Sequence, residues 1–346
     1  VNPSIRIDLV SDTATKPCAA MRQAMANAEV GDEQRGEDPT VNALNERVAS
    51  LLGQERALFL PSGTMCNQIA LAVHCRPGDE IIAASSAHIV GSEGAGAAVL
   101  AHSVIRTIAS PDGIFTAEQL RSTLRPHRVK APRQRVVAVE QTSNRGGGSV
   151  WPADVLQAVV DEARGAGLLL HMDGARLMNA VVASGVDASL QAAPFDSVWL
   201  DLSKGLGCPV GGVLAGSADF IAEADVWKHR LGGAMRQAGI LAAAGLYALD
   251  HNVARLAEDH ANARRFAALL EEIPGVSLLN PNPHTNLVFF DVSASGHSAQ
   301  AVGRHLLEDG VRIGIESSHV MRAVFHLDVD ARQTTLAATS LRSALA

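Results

Sequence analysis

Along most of the chain, short apolar runs alternate with stretches whose apolar residues recur every three or four positions. After a polar N-terminal stretch reaching about Pro39, Ala57–Leu60 reads as a strand, followed by Pro61-Ser62-Gly63-Thr64 and a helix to about Cys75. Glu80–Ala84 and Val104–Ile108 read as strands, and Thr116–Leu124 as a helix opened by a threonine with Glu118 and Gln119 in its first turn. Arg135–Val139 is a strand, Ala153–Arg164 a helix with Leu156, Val159, Val160 and Ala163 on one stripe, and Leu168–Met172 a strand. Val198–Leu202 and Val213–Ala215 complete the set. This alternation predicts an α/β fold with a mostly parallel sheet and helices on both faces. From about Ala238 to Leu270 the pattern is helical, with Leu241, Leu246, Leu249, Val253 and Leu256 in phase. From Val276 onward, strands (Val276–Leu279, Leu287–Val292, Val311–Ile315, Ala323–Leu327) mix with helices (Ser298–Leu307, Ala331–Leu341). The expected division is a large domain over residues 1–248 and a small C-terminal α+β domain over 249–346.

Composition narrows the class. A 346-residue chain that is 47% hydrophobic can bury a large core and is not disordered. No apolar run approaches the roughly 18 residues of a membrane span, and Val1–Leu9 is polar and shorter than a secretory apolar core, so the expected location is cytoplasmic, away from membranes. A net charge of −7 with mixed signs argues against a nucleic-acid partner, which would require a basic face. Cys18, Cys66, Cys75 and Cys208 form no CxxC pair and stand in no metal-like histidine spacing, so they read as reduced thiols and no metal is expected.

In an open α/β sheet, ligands bind beyond the carboxyl ends of the strands, so the residues just after each apolar run carry the information. Those positions hold Ser62-Gly63-Thr64, His88, Asn144, Asp173-Gly174-Ala175-Arg176 and Ser203-Lys204-Gly205. Ser62-Gly63-Thr64 lies where free backbone N–H groups and the positive end of a helix dipole hold a phosphate, although alone it also reads as a plain strand-to-helix turn. Asp173 ends a hydrophobic strand and can pair with a protonated heterocyclic nitrogen, or simply cap a helix. Arg176 is placed to grip a carboxylate through a bidentate fork, or to lie on the surface. Lys204 follows an apolar strand and is flanked by glycines; a desolvated lysine beside a cationic cofactor has a lowered pKa and can form a Schiff base. The interval from Asp173 to Lys204 leaves room for one helix and one strand, as a crossover requires. Together these features match how pyridoxal 5′-phosphate is held.

The chain resembles the low-specificity L-threonine aldolases, within the fold-type-I pyridoxal-phosphate enzymes and their beta-eliminating-lyase-like group. The matching segments run in order along nearly the whole length: Ile7–Pro17, Gly36-Glu37-Asp38-Pro39-Thr40-Val41, Leu60–Thr64, His171–Arg176, Leu202–Gly207, Gly232–Gln237 and His326-Leu327-Asp328-Val329. The resemblance implies a transferase-like large domain and a homotetramer, with each active site completed by a neighbouring subunit. It makes Lys204 the cofactor lysine, Asp173 the partner of the pyridine nitrogen and His88 the ring that stacks on the cofactor. Gly63, Thr64, Ser203 and Arg236 match phosphate-site positions, and Arg230 stands where many relatives have lysine. Ser11, Arg176 and Arg322 match a substrate-carboxylate cluster. The implied reaction is retro-aldol cleavage of a β-hydroxy-α-amino acid to glycine and an aldehyde, with His88, directly or through a water, as the base on the β-hydroxyl.

Two positions depart from the family pattern. Arg35 stands where relatives commonly have tyrosine before Gly-Glu/Asp-Asp-Pro, and Ser143 stands where they often carry histidine in Glu-Asn-Thr-His-Asn. Both are expected around the β-substituent, where Ser143 leaves room for a larger group and Arg35 reads an anionic or polar one, lies in solvent, or pairs across a subunit interface. Two further readings stay open: β-elimination or dehydration to a keto acid and ammonia, and cofactor binding without catalysis.

Overall fold

The computed structural model describes residues 4–126 and 128–346, so Val1, Asn2 and Pro3 of the N-terminal stretch lie outside the described residues. The strands, in chain order, are β1 Ile7–Leu9, β2 Arg56–Leu60, β3 Asp79–Ala84, β4 Val104–Ile108, β5 Arg133–Glu140, β6 Leu169–Gly174, β7 Ser197–Asp201, β8 Gly212–Gly216, β9 Ser277–Leu278, β10 Leu287–Asp291, β11 Val311–Ile315 and β12 Val320–Val324. Seven of them form one sheet in the order β2-β8-β7-β6-β5-β3-β4. Its members β3 to β7 run parallel, and β8 is antiparallel to both of its neighbours. The centre of this sheet is covered on both faces, which is why β6 and β7 read as near-continuous apolar runs instead of alternating ones.

The core of the large sheet gathers Phe59, Ile82, Val137, Leu170, Val198 and Leu200 under surrounding helices. Each such side chain contributes about 1.5–3 kcal/mol by leaving water. The helix Gly63–His74 starts where Ser62 Oγ accepts from Met65 N at 3.2 Å. The expected threonine start at Thr116 is a full capping box with Gln119.

A second sheet, in the order β1-β11-β12-β10-β9, packs its own core of Phe266, Phe290, Phe325 and Leu306. Its outer strand β1 comes from the other end of the chain and pairs in parallel with β11. The helical stretch expected from Ala238 to Leu270 is two helices, Gly239–His251 and Leu256–Glu271. The break falls at Asn252, whose side chain turns away to donate to Leu206 O at 2.8 Å. The expected strand Ala323–Leu327 lies earlier, at Val320–Val324, because the register pairs Leu287–Asp291 with those residues. Phe325 N then bonds Asn286 O, and His326 Nε2 donates to Asp8 O at 2.8 Å as the chain leaves the sheet. Among the described residues no helix is long and apolar enough to cross a membrane.

Candidate active site

A cavity of about 460 Å³ opens over the carboxyl ends of β2, β5, β6 and β7. Of the residues singled out from sequence, it brings together Ser11, Gly63, Thr64, His88, Asn144, Asp173, Arg176, Ser203, Lys204 and Arg322. They come from seven separate segments of the chain, because the parallel strands present their ends side by side.

The floor is Trp199. A Cβ on Gly63 would stand 2.1 Å from the Trp199 ring, so only glycine lets the helix start approach so closely. That first turn leaves the Gly63 and Thr64 N–H groups without intrahelical partners. Trp199 Nε1 donates to Asn67 Oδ1 at 2.7 Å. Because an indole nitrogen only donates, the other end of the Asn67 amide must be its NH₂. Asn67 Nδ2 therefore donates to Asp173 Oδ2 at 2.8 Å and to Glu93 Oε1 at 2.6 Å.

Behind Asn67 the polarity continues. His171 Nε2 donates to Asn67 Oδ1 at 3.0 Å, its Nδ1 accepts from Ser197 Oγ at 2.8 Å, and Ser197 Oγ accepts from His74 Nε2 at 2.7 Å. Burial holds both imidazoles neutral, pushing His171 down to about 3 and His74 down to about 4. At the front, His88 Nδ1 lies 2.8 Å from Glu93 Oε1. That hydrogen bond raises the His88 imidazole, and burial raises the Glu93 carboxyl. Glu140 is pushed up to about 7 by burial and then by Asp173; its carboxylate accepts from the backbone N–H of His88 and of Asn144, each at 2.8 Å.

Lys204 Nζ lies 2.5 Å from Asp201 Oδ2 and 5.5 Å from the centre of the Trp199 ring. Burial lowers the amine, but the Asp201 charge and hydrogen bond, with the Asp12 charge, together outweigh it and the group is raised. The lowered lysine expected from sequence concerns the amine beside a cationic cofactor; within the chain itself, Lys204 pairs with a carboxylate three residues away.

The far wall is cationic. Arg176 grips the buried Asp12 in a bidentate fork, with Nε at 2.7 Å and an Nη at 2.8 Å, and its other Nη donates to Asn144 Oδ1 at 3.2 Å. Arg322 reaches the same Asn144 oxygen at 3.4 Å and pairs with Glu316 at 3.1 Å. Ser11 Oγ accepts from Thr13 N at 3.2 Å at the edge.

Four predicted site residues lie outside the cavity of their own chain. Arg35 is exposed and 3.8 Å from Asp32, and Arg236 is exposed and 3.1 Å from the same carboxylate. Arg230 stacks on Trp227. Ser143 is buried one layer down, where its Oγ accepts from Gly146 N at 3.2 Å. The sequence alone does not single out Asn67, Glu93, Glu140 or Asp201; of these, Asp201 and Glu140 carry the one readable signal, a carboxylate at a strand end. The four cysteines are free, three of them buried. A separate cavity of about 540 Å³, lined by Trp151, Leu156 and Leu190, is apolar apart from a rim of Gln157, Ser184, Gln191 and His284.

A mostly parallel sheet layered by helices, with a lysine and an aspartate at adjacent strand ends facing one cavity, is the architecture of the fold-type-I pyridoxal-phosphate enzymes. The solved structures agree on the fold. The threonine aldolase of Leishmania major superposes with a TM-score of 0.83 at 20% identity, covering 98% of this chain and 100% of that one. An SPT structure holding PLP superposes at 0.76 and 16% identity over 98% of this chain and 87% of that one. Residues 8–295 match the family model described as beta-eliminating lyase. The low specificity L-threonine aldolase of Escherichia coli strain K12 is 42% identical over 98% of this chain and 99% of its own length. Low-specificity L-threonine aldolase 1 of Arabidopsis thaliana is 38% identical over 92% of this chain and 91% of its own. The chain belongs to the beta-eliminating lyase family, in the group of the low-specificity L-threonine aldolases.

Proposed function

We propose that this chain is a pyridoxal-phosphate-dependent lyase that cleaves β-hydroxy-α-amino acids, such as threonine, allo-threonine and phenylserine, to glycine and an aldehyde. The observation that carries the reading is the single cavity in which Lys204, Asp173 and the Arg176–Arg322 pair converge.

The residues present fit the cofactor. The glycine-only approach at Gly63 leaves a cradle of backbone N–H groups for a phosphate, with the Thr64 hydroxyl beside it; the Ser203 hydroxyl, which donates to Asp201, would turn to the phosphate when the cofactor is bound. Asp173, held by the Asn67 amide, would pair with the pyridine nitrogen. His88 lies against the same space, and Lys204 supplies the amine. When bound, the cofactor supplies an electron sink for the pair released at Cα.

The chain's own groups do the rest. Arg322 and the Nη of Arg176 left outside the Asp12 fork would hold the substrate carboxylate, with Ser11 beside them, and so set which Cα bond faces the electron sink. His88, hydrogen-bonded to Glu93, takes the β-hydroxyl proton as Cα–Cβ breaks. The exposed Arg230 and Arg236 are assigned to the phosphate of a neighbouring subunit, within a cytoplasmic homotetramer, and Arg35 to the same shared edge.

A panel of threonine, allo-threonine, phenylserine and 3-hydroxyaspartate, assayed for glycine and aldehyde, tests the reading. Glycine release from at least one, abolished in Lys204→Ala, is expected. Keto acid and ammonia without glycine would replace it with β-elimination, and release from 3-hydroxyaspartate alone would mark an enzyme for anionic substrates.

A further inference from the structure

The side chain nearest the cofactor lysine is a carboxylate that none of the site's assigned roles uses. Asp201 is the last residue of β7, buried, and three positions before Lys204. Its Oδ2 meets Lys204 Nζ at 2.5 Å. Its other oxygen is anchored separately, accepting from Ser203 N at 2.7 Å and Ser203 Oγ at 3.0 Å, so the carboxylate is held in one orientation. We propose that Asp201 is the positioning residue that keeps the Lys204 nitrogen as an ammonium ion whenever that nitrogen has no covalent partner, and takes up its proton when the free amine is needed. The proton balance is local: the ammonium gives one proton to the carboxylate, leaving a neutral amine and a carboxylic acid, with no other reactant.

The geometry explains why a carboxylate should stand here. A lysine displaced from the cofactor would stay in this cavity, and as a free amine would compete with the substrate's amine. An ammonium has no lone pair and does not compete. The proposal rests on Lys204 being the cofactor lysine. The charged groups that bear on Lys204 are Asp201 from β7, Arg176 from the turn after β6 and Asp12 from the turn after β1. Arg176 and Asp12 are locked in their own bidentate pair, so their opposite charges largely offset each other at Lys204, and Asp201 is the partner free to act.

The test reads the lysine directly and needs no turnover, so its failure is distinct from failure of the aldolase assignment. The full-length chain is stripped of bound cofactor, and competitive acetylation is followed peptide by peptide against pH. In the wild type, Lys204 should reach half-maximal labelling at a higher pH than the exposed Lys16 and Lys130. In Asp201→Asn, which keeps an acceptor for Ser203, the Lys204 half-point should fall by at least about one pH unit, a roughly tenfold gain in labelling at fixed pH. Lys16 and Lys130 should not move, and Asp201→Glu should restore most of the shift. A wild-type Lys204 half-point at or below that of the exposed lysines would overturn the proposal without any variant; so would an Asn variant with an unmoved Lys204.

Discussion

Asp12 sits with no exposed surface inside the fork of Arg176, and the pair shows how a site residue can also carry stability. Burial raises the Asp12 carboxyl, but the Arg176 charge and hydrogen bonds outweigh it and hold the group down at about 2. A carboxylate lowered in the folded state stabilises fully above the ordinary carboxylate range near 4, and that contribution is lost as pH falls through about 2. Asp12→Asn should therefore lose about 3–5 kcal/mol at pH 7, because Arg176 is left buried and unpaired, and should show a shallower loss of stability between pH 4 and 2. Denaturant melts across that range measure both effects. Sequence reveals Asp173, Arg176 and Lys204 because charged residues directly after apolar runs are rare enough to stand out. It does not reveal Asn67, a polar residue within a helix, since what makes it important is the indole and imidazole that orient its amide.

At the level of elements, the segment Gly36-Glu37-Asp38-Pro39, one of those that carry the family resemblance, is architecture in the structure. Asp38 caps the helix Pro39–Leu52, accepting from Thr40 N and Val41 N, and its second oxygen accepts from Gly31 N and from Gly239 N. One buried carboxylate thus ties two helix starts and the loop before them. Losing a cap costs about 1 kcal/mol, and each buried donor left without a partner adds about 1–3. Asp38→Ala is expected to cost at least about 2 kcal/mol on that reckoning, with Asp38→Asn intermediate, read as shifts in the denaturant midpoint. Most strands are readable because burial on both faces demands unbroken apolar runs. The β12 boundary is not, because Arg322 interrupts the apolar run at the point where the strand borders the cavity.

At the scale of the whole molecule, two sheets with separate cores are tied together by β1, which comes from the N-terminal stretch and runs in the sheet of the C-terminal strands. The cavity needs both, since Lys204 and Asp173 come from the large sheet and Arg322 from the small one. Arg35, Arg230 and Arg236 stay outside it, which fits the proposed sharing of sites between subunits. Subunits carrying Lys204→Ala and subunits carrying Arg236→Ala, each expected to be inactive alone, should regain activity when unfolded together and refolded. Random assortment of a two-fold pair restores about one site in four. No recovery would confine each site to its own chain.

The sequence by itself determined the layered α/β plan, the family and the residues whose chemistry is fixed by type: the lysine, the aspartate and the arginines at strand ends. The plan and the strand-end residues follow from periodicity and from the rarity of charge beside apolar runs, and the family from motifs in order along the chain, all local properties. Only the tertiary structure decided which polar groups face one another. The partner of Lys204 is Asp201, the orientation of Asn67 is set by Trp199, and the place of Arg322 by a strand register more than a hundred residues from the cavity floor. Such pairings depend on distance and burial, which the order of residues along a chain does not contain.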